Sequence, residues 1–152
     1  DLTVDGADEI GPHLSLIKGG GGALVREKLV ALASRRMIVI ADATKRVRLL
    51  GAYPLPVAVV PFAAQRLAAE LRDTFEVTVT LRTNADGAPR PTDDGLWILD
   101  LHFDVVPRPA LLEKRLKNVV GVVESGLFVG VATLALLGHD DGTVEPLTPE
   151  AG

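Results

Sequence analysis

A lysine, four consecutive glycines and a glutamate lie close together in the stretch KGGGGALVREK, residues 18–28. Four glycines lose much conformational entropy on ordering, so a fold keeps them mainly where the backbone takes unusual angles or approaches another group closely. Because this loop leads directly into a predicted helix, its free N–H groups and the helix dipole suit an anion or a developing oxyanion. The alternative interpretation is a flexible connector.

This glycine loop does not fit either common nucleotide-binding motif. In a P-loop the lysine follows the glycines, whereas Lys18 precedes them. The dinucleotide motif G-x-G-x-x-G, with an acid about 20 residues further on, is also missing. The sequence therefore disfavours a nucleotide as the ligand.

Glu27 is the most informative single residue, because no cation on its own helix can pair with it. The positions three and four residues away carry Ala23, Leu24, Val30 and Ala31. A carboxylate among small and apolar groups is suited to act as a general base or acid if it faces a ligand. The alternative is an exposed glutamate near the start of a helix.

Two further groups of polar residues follow predicted strands. DGADE, residues 5–9, comes after one strand, and Asp42 and Lys45 come after another. Ligands of α/β sheets bind beyond the carboxyl ends of strands, where short acids reach hydroxyls and a lysine reaches phosphate. The alternatives are an Asp-Gly turn with a capping acid and a solvated lysine. The connector at 5–14 is too short for a helical crossover, so the spacing does not establish that the strands are parallel.

The hydrophobic pattern predicts an α/β fold in two units, with a boundary near residue 54 at YPLPVAVVP. The first unit has strands at 2–4 and 14–17, a helix at 23–34 and a strand at 37–41 that is buried on both faces. The apolar stripe expected to pack this helix on the core consists of Val25, Leu29, Leu32 and Ala33.

The second unit has the β-α-β-β-α-β order of a ferredoxin-like fold. Its strands are predicted at 57–60, 75–82, 96–101 and 119–123, and its helices at 62–72 and 109–117. The apolar run after residue 126 and a last strand near Val144 could rejoin the sheet of the first unit.

Composition limits the possible partners. The chain has 152 residues, 47% of them hydrophobic, a formal charge of −4 and no cysteine. These values argue against nucleic acid and anionic membrane as partners, exclude disulfides and thiolate metal sites, and favour the cytoplasm. The three histidines, at 13, 102 and 139, lack metal-ligand spacing, so no metal site is predicted. Because the chain opens on a strand without an initiator methionine, we expect it to be a fragment.

Three motifs in register, DLTVDGADEI, IKGGGGALVREK and IVIADATK, resemble ribose-5-phosphate isomerase of the A type. YPLPVAVVP, WILDLHFD and VVGVVESGLF resemble the small lid domain of that family, so the similarity covers nearly the whole chain. The resemblance implies a Rossmann-like catalytic domain (1–53 and 126–152) interrupted by a ferredoxin-like lid (54–125). It also implies that the family's N-terminal portion, with a phosphate-gripping Gly-Thr-Gly-Ser-Thr loop, is absent from this chain.

The family interconverts D-ribose 5-phosphate and D-ribulose 5-phosphate through an enediolate, in the non-oxidative pentose phosphate pathway, without a metal or organic cofactor. By position, Glu27 would be the base, and Lys18 with the amides of the glycine loop would stabilise the enediolate. The segment from Asp5 to Asp8 would hold the sugar hydroxyls, with both acids assisting ring opening, and Lys45 would contact the phosphate. The implied substrate-binding residues are Asp5, Gly6, Ala7, Asp8, Lys18, Gly19, Gly20, Gly21 and Lys45. The resemblance further implies a homo-oligomer, either a dimer or a tetramer.

Two other functions remain open at this point. A non-enzymatic sugar-phosphate-binding effector domain explains Lys18, the glycines and Lys45 but gives no role to Glu27. Acyl transfer to coenzyme A, with Glu27 as nucleophile, uses the same carboxylate for covalent chemistry.

Overall fold

Three β-sheets and three α-helices make up the computed structural model, which describes residues 1–149. The helices are α1 (Leu24–Ala33), α2 (Ala64–Phe75) and α3 (Pro109–Lys117). The strands are β1 (Leu2–Asp5), β2 (Glu9–Ile10), β3 (Leu16–Ile17), β4 (Arg36–Asp42), β5 (Leu55–Val59), β6 (Thr78–Leu81), β7 (Trp97–His102), β8 (Val122–Ser125), β9 (Leu127–Phe128), β10 (Leu134–Gly138) and β11 (Val144–Leu147). Short 3-10 helices span Pro12–Leu14, Ala43–Lys45 and Pro61–Ala63.

The first sheet has the order β1-β4-β10-β11. β1, β4 and β10 are parallel, with Asp5 opposite Val39, so the carboxyl ends of these strands lie at one edge. β11 is antiparallel to β10, and the prediction that the segment after residue 126 rejoins this sheet is confirmed. The strand predicted at 14–17 is shorter, since β3 spans only Leu16–Ile17. It does not belong to the first sheet but pairs antiparallel with β2 and β9 in a small second sheet.

The third sheet has the order β6-β7-β5-β8, and every pair in it is antiparallel. Numbered within the unit, this is the 2-3-1-4 order of a ferredoxin-like fold, so the predicted β-α-β-β-α-β arrangement is confirmed. α2 packs against β6 and β7, and α3 packs against β8. The α/β class is also confirmed. The domain limits at 53/54 and 125/126 stay a prediction, and residues 150–152 of the first domain lie outside the described residues.

Helix α1 lies between the first unit and this lid sheet. Its buried side chains are Leu24, Lys28 and Ala31. Leu24 packs on Ala58 and Ile98 of the lid sheet, whereas Ala31 joins the core of the first unit. The helix therefore packs against both units, and this packing positions Glu27 in its first turn.

The stripe predicted to face the core from α1 is correct at Val25, which is half-buried against the cluster of Leu24, Ala58 and Ile98, and wrong at its other three residues. Leu29 is 63% exposed and Leu32 is 62% exposed, and Ala33 is exposed as well. α1 buries the face of Lys28 instead, because Glu113 and Glu124 of the lid compensate the charge of this lysine. Apolar periodicity along the helix cannot reveal a buried face that contains a lysine.

Strand β4 was expected to be buried on both faces, and that expectation is also wrong. Met37 and Val39 are buried, whereas Ile38 is half-buried and Ile40 is 54% exposed. Side chains alternate between the two faces of a strand, so only one face of β4 is covered by the residues that the structure describes.

Candidate active site

Nine residues from three segments line a cavity of about 250 Å³. They come from the end of β1, the loop after β3 and the first turn of α1, and they are Asp5, Gly6, Ala7, Asp8, Lys18, Gly19, Gly20, Gly21 and Glu27. The structure thus brings together every predicted site residue except Lys45. A larger cavity of about 430 Å³, lined among others by Pro12, Arg46 and Leu147, contains none of them.

Backbone hydrogen bonds hold the segments of the site in place. The Asp8 N–H donates to Ile17 O at 2.9 Å, which joins the segment after β1 to β3. The Lys18 N–H donates to Gly126 O at 2.8 Å, which fixes the start of the glycine loop against the residue between β8 and β9. The two bonds hold the peptide between Ile17 and Lys18 from its two edges, so the backbone that leads into the Lys18 side chain is fixed.

The ammonium of Lys18 is buried and surrounded by acceptors. The side chain is 3% exposed, and Nζ lies 3.0 Å from Asp5 Oδ2 and 3.2 Å from Glu27 Oε2. It also donates to Gly6 O at 2.6 Å and lies 5.5 Å from the ring centroid of Phe128. A buried cation is costly unless it is paired and hydrogen-bonded, and this one is both.

The carboxylate of Glu27 faces this ammonium from the first turn of α1. Its side chain is 25% exposed, so it reaches both Lys18 and the cavity. Within residues 1–149, Glu27 Oε2 is buried and makes no directed hydrogen bond, although the ammonium lies near it. The cation that Glu27 lacks on its own helix comes from the loop before it.

The glycine loop takes angles that favour glycine. Gly19 and Gly22 have φ values of +107° and +94°, and the Gly22 N–H closes a turn by donating to Gly19 O at 3.0 Å. The Gly20 N–H donates to Asp8 Oδ2 at 2.8 Å. A Cβ on Gly20 would lie 2.5 Å from Tyr53 Oη and 2.7 Å from Asp8 Oδ1. This close approach leaves no room for a side chain at Gly20.

Tyr53 is a neighbour of the site that the sequence did not indicate. Burial raises the pKa of its phenol, and the negative charge of Asp8 raises it further. Glu9 fixes the backbone here, since its buried carboxylate accepts from the N–H groups of Gly51 and Tyr53 at 2.8 and 2.7 Å. A lone tyrosine before a proline carries no motif, so only the structure reveals this contact.

Lys45 ends the 3-10 helix that follows β4 and does not line the cavity of about 250 Å³. Asp42 immediately precedes this helix and accepts from the Thr44 N–H at 3.0 Å. The hydrogen bond from the Thr44 hydroxyl lowers the pKa of Asp42. Asp42 therefore caps this turn. Within the described residues, His, Asp and Glu form no group of three that could hold a metal ion, and no helix is long and apolar enough to cross a membrane.

Comparison with known proteins places this site in a family. The family model for ribose 5-phosphate isomerase A (phosphoriboisomerase A) matches residues 1–142. Ribose-5-phosphate isomerase A of Rhodopseudomonas palustris is 54% identical, over 95% of this chain and 66% of that protein. The protein of the same name from Jannaschia sp. is 49% identical, over 95% of this chain and 57% of its own length.

Solved structures give the same result. Ribose 5-phosphate isomerase from Plasmodium falciparum superposes with a TM-score of 0.93 at 36% identity, covering 99% of this chain and 66% of that one. A D-ribose-5-phosphate isomerase in complex with phospho-erythronic acid gives 0.92 at 35% identity, covering 97% and 65%. This chain thus spans between 57% and 66% of the length of these relatives. It belongs to the ribose 5-phosphate isomerase A family.

Proposed function

We propose that the protein is an aldose-ketose isomerase that interconverts D-ribose 5-phosphate and D-ribulose 5-phosphate through an enediolate, in the non-oxidative pentose phosphate pathway. The observation that carries the proposal is the pairing of Glu27 with the buried Lys18 ammonium, 3.2 Å apart at the wall of the cavity. A base and a cation at this separation can act on adjacent atoms of one small substrate. The names of the relatives support the same reaction.

In the proposed reaction, Glu27 takes the proton from C2 of the open-chain aldose. The electrons of that C–H bond form the C1–C2 double bond, and negative charge develops on the former carbonyl oxygen. Lys18 and the N–H groups of the glycine loop stabilise this charge, because fixed donors in a shielded site cost no reorganisation when the charge appears. Glu27 then returns the proton to C1, while a proton moves between the two oxygens and the C2 carbonyl forms.

The remaining site residues bind the sugar phosphate in this proposal. Asp5 and Asp8, with the backbone of Gly6 and Ala7 between them, accept hydrogen bonds from the sugar hydroxyls, and both acids assist ring opening. Asp8 already accepts from the Gly20 N–H, so it couples the sugar to the glycine loop. Lys45 contacts the phosphate from outside the cavity wall described above, at the same strand edge as Asp5.

We also propose that the protein is a cytoplasmic homo-oligomer, either a dimer or a tetramer. A chain without cysteine suits a reducing compartment. Apolar side chains at one end of the lid support an interface, since Phe62 is fully exposed and Val120 is 85% exposed. Exposed apolar surface of this kind favours contact between subunits.

One experiment separates the proposed function from its two alternatives. The protein is incubated with ribose 5-phosphate in deuterated water, and the sugar and the protein are then examined by NMR and mass spectrometry. Isomerisation predicts ribulose 5-phosphate that carries solvent deuterium, with the protein mass unchanged. Sugar binding without turnover would support an effector domain instead. In a parallel incubation with an acyl-coenzyme A, a glutamyl adduct on Glu27 would support acyl transfer.

A further inference from the structure

A single arginine of the lid reaches the backbone of the glycine loop. Arg82 follows β6 and is 14% exposed. Its Nε donates to Asp100 Oδ2 at 2.9 Å and its Nη2 donates to Asp100 Oδ1 at 2.5 Å. This bidentate pair with a residue of β7 fixes the plane of the guanidinium, because both partners form a matching planar fork.

The remaining nitrogen of the guanidinium points at the loop. Arg82 Nη1 donates to Gly19 O at 2.8 Å and to Gly20 O at 3.1 Å. Two consecutive carbonyl groups of the glycine loop are therefore held on the side of the lid. A lysine has a single ammonium on a flexible stem, so it cannot reproduce this arrangement.

The direction of these carbonyls determines the direction of the following N–H groups. In a planar trans peptide the C=O and the N–H point in opposite directions. The N–H of the first peptide is that of Gly20, and it donates to Asp8. The N–H of the second peptide is that of Gly21, and within residues 1–149 it has no acceptor. Gly21 lines the cavity that Glu27 also lines, and it lines a smaller cavity together with Arg82.

We propose that Arg82 is a positioning residue that holds the Gly20–Gly21 peptide with its N–H directed toward the developing oxyanion. This inference rests on the proposed isomerase function. Arg82 does not touch the substrate and acts through the backbone of the loop. Without it, the Gly20–Gly21 peptide regains backbone conformations that a glycine permits, and the loop must be ordered again in each substrate complex. A donor that is ordered only part of the time stabilises the transition state less than a fixed donor does, and kcat falls because this hydrogen bond is stronger in the transition state than in the ground state.

The test compares Arg82→Ala and Arg82→Lys with Arg66→Ala in the intact protein. Arg66 is a lid arginine that pairs with Glu70 and donates to Val120 O, remote from the cavity, so it controls for the general loss of a lid ion pair. Loss of one oxyanion donor typically costs about 10²–10³-fold in kcat. We expect the kcat of Arg82→Ala to fall by about 10²-fold, with KM changed by less than about threefold. The kcat of Arg82→Lys should lie between those of the parent and Arg82→Ala, and the kcat of Arg66→Ala should equal that of the parent.

A second measurement follows the loop directly. In the parent, addition of phospho-erythronic acid, the ligand of one of the related structures, should shift the amide NMR signal of Gly21. In Arg82→Ala this shift should be lost although the protein remains folded. If the parent turns over ribose 5-phosphate and Arg82→Ala keeps both the kcat and the Gly21 shift of the parent, the proposed role of Arg82 is wrong. The isomerase function is then unaffected. A parent that shows the Arg82-dependent Gly21 shift but no turnover would overturn the isomerase function and leave the anchoring of the loop.

Discussion

Two lysines of this protein, Lys18 and Lys28, share almost every local property and differ in what surrounds them. Each is 3% exposed, each has two carboxylates and one backbone carbonyl within about 3 Å of its ammonium, and each lies near the ring of Phe128. Lys18 belongs to the wall of the cavity. Lys28 belongs to the contact between α1 and the lid.

The difference lies in the partners. The acids of Lys28 are Glu113 of α3 and Glu124 of β8, which are 18% and 16% exposed, and Nζ lies 3.1 and 2.7 Å from them. The acids of Lys18 are 31% and 25% exposed and face the cavity. Burial and ion pairing therefore do not separate Lys18 from Lys28. Under the proposed function, access of the paired carboxylates to the cavity does.

The two clusters are also linked through α1. Lys28 follows Glu27 in the sequence, and consecutive helical residues point in different directions. Lys28 donates to Glu124 and to Ser125 O at 2.7 and 2.9 Å, which fixes the rotation of the helix against the lid. The carboxylate of Glu27 is then directed toward Lys18.

The largest expected effect is on stability, at Lys28. Lys28→Met keeps the length of the side chain but leaves two acids without their cation, and breaking a buried ion pair in this way costs about 3–5 kcal/mol. We expect the free energy of unfolding to fall by about this amount in urea, while kcat per folded molecule falls by less than about tenfold. Lys117→Met is the matched control, because Lys117 contacts the same acids at 3.8 and 3.6 Å but is 47% exposed.

The reverse effect is expected at Lys18. Lys18→Met removes a cation from the developing oxyanion, and we expect kcat to fall by about 10²–10³-fold. Its acids keep access to water, so the free energy of unfolding should change less than in Lys28→Met. The two variants are compared by steady-state kinetics and urea denaturation under one set of conditions. Equal losses of stability with little loss of turnover in Lys18→Met would remove the distinction between the two clusters.

A smaller effect is expected at Tyr53, on the side of the cavity. Because burial raises the pKa of its phenol in the folded protein, Tyr53 contributes stability below the unfolded pKa of about 10. This contribution is lost as the pH rises through the higher folded pKa. Tyr53→Phe should therefore lose less stability than the parent between about pH 9 and 11, as measured by urea denaturation. A greater loss in the variant would contradict the direction of the shift.

Much of the fold was predictable, because the period of the apolar residues along the lid sequence identifies its strands and helices. The helix at Pro109–Lys117 was predicted to the residue, and the order of the lid elements is correct. Tertiary contacts decided what was not predictable. The buried face of α1 contains Lys28, whose partners lie 85 and 96 residues further along the chain, and no local pattern reveals such a pair.

The candidate site also has residues that the sequence predicts and residues that only the tertiary structure reveals. Glycines, acids and a lysine at strand ends are visible as types and spacings, and eight further cavity residues accompany Glu27 as the motifs suggested. Arg82 and Tyr53 were not visible, because each acts by contacting the backbone or by filling space. Lys45 was expected at the site from its place after a strand, yet it lies outside the cavity wall.

The most direct test of the central claim is the rate at which Glu27→Gln exchanges substrate hydrogen with deuterated water. Glutamine keeps the size of the side chain but cannot take a proton from carbon. We expect both kcat and deuterium incorporation to fall by about 10²–10⁴-fold, with substrate affinity similar to that of the parent. Near-normal turnover and exchange in the folded variant would contradict the assignment of Glu27 as the base.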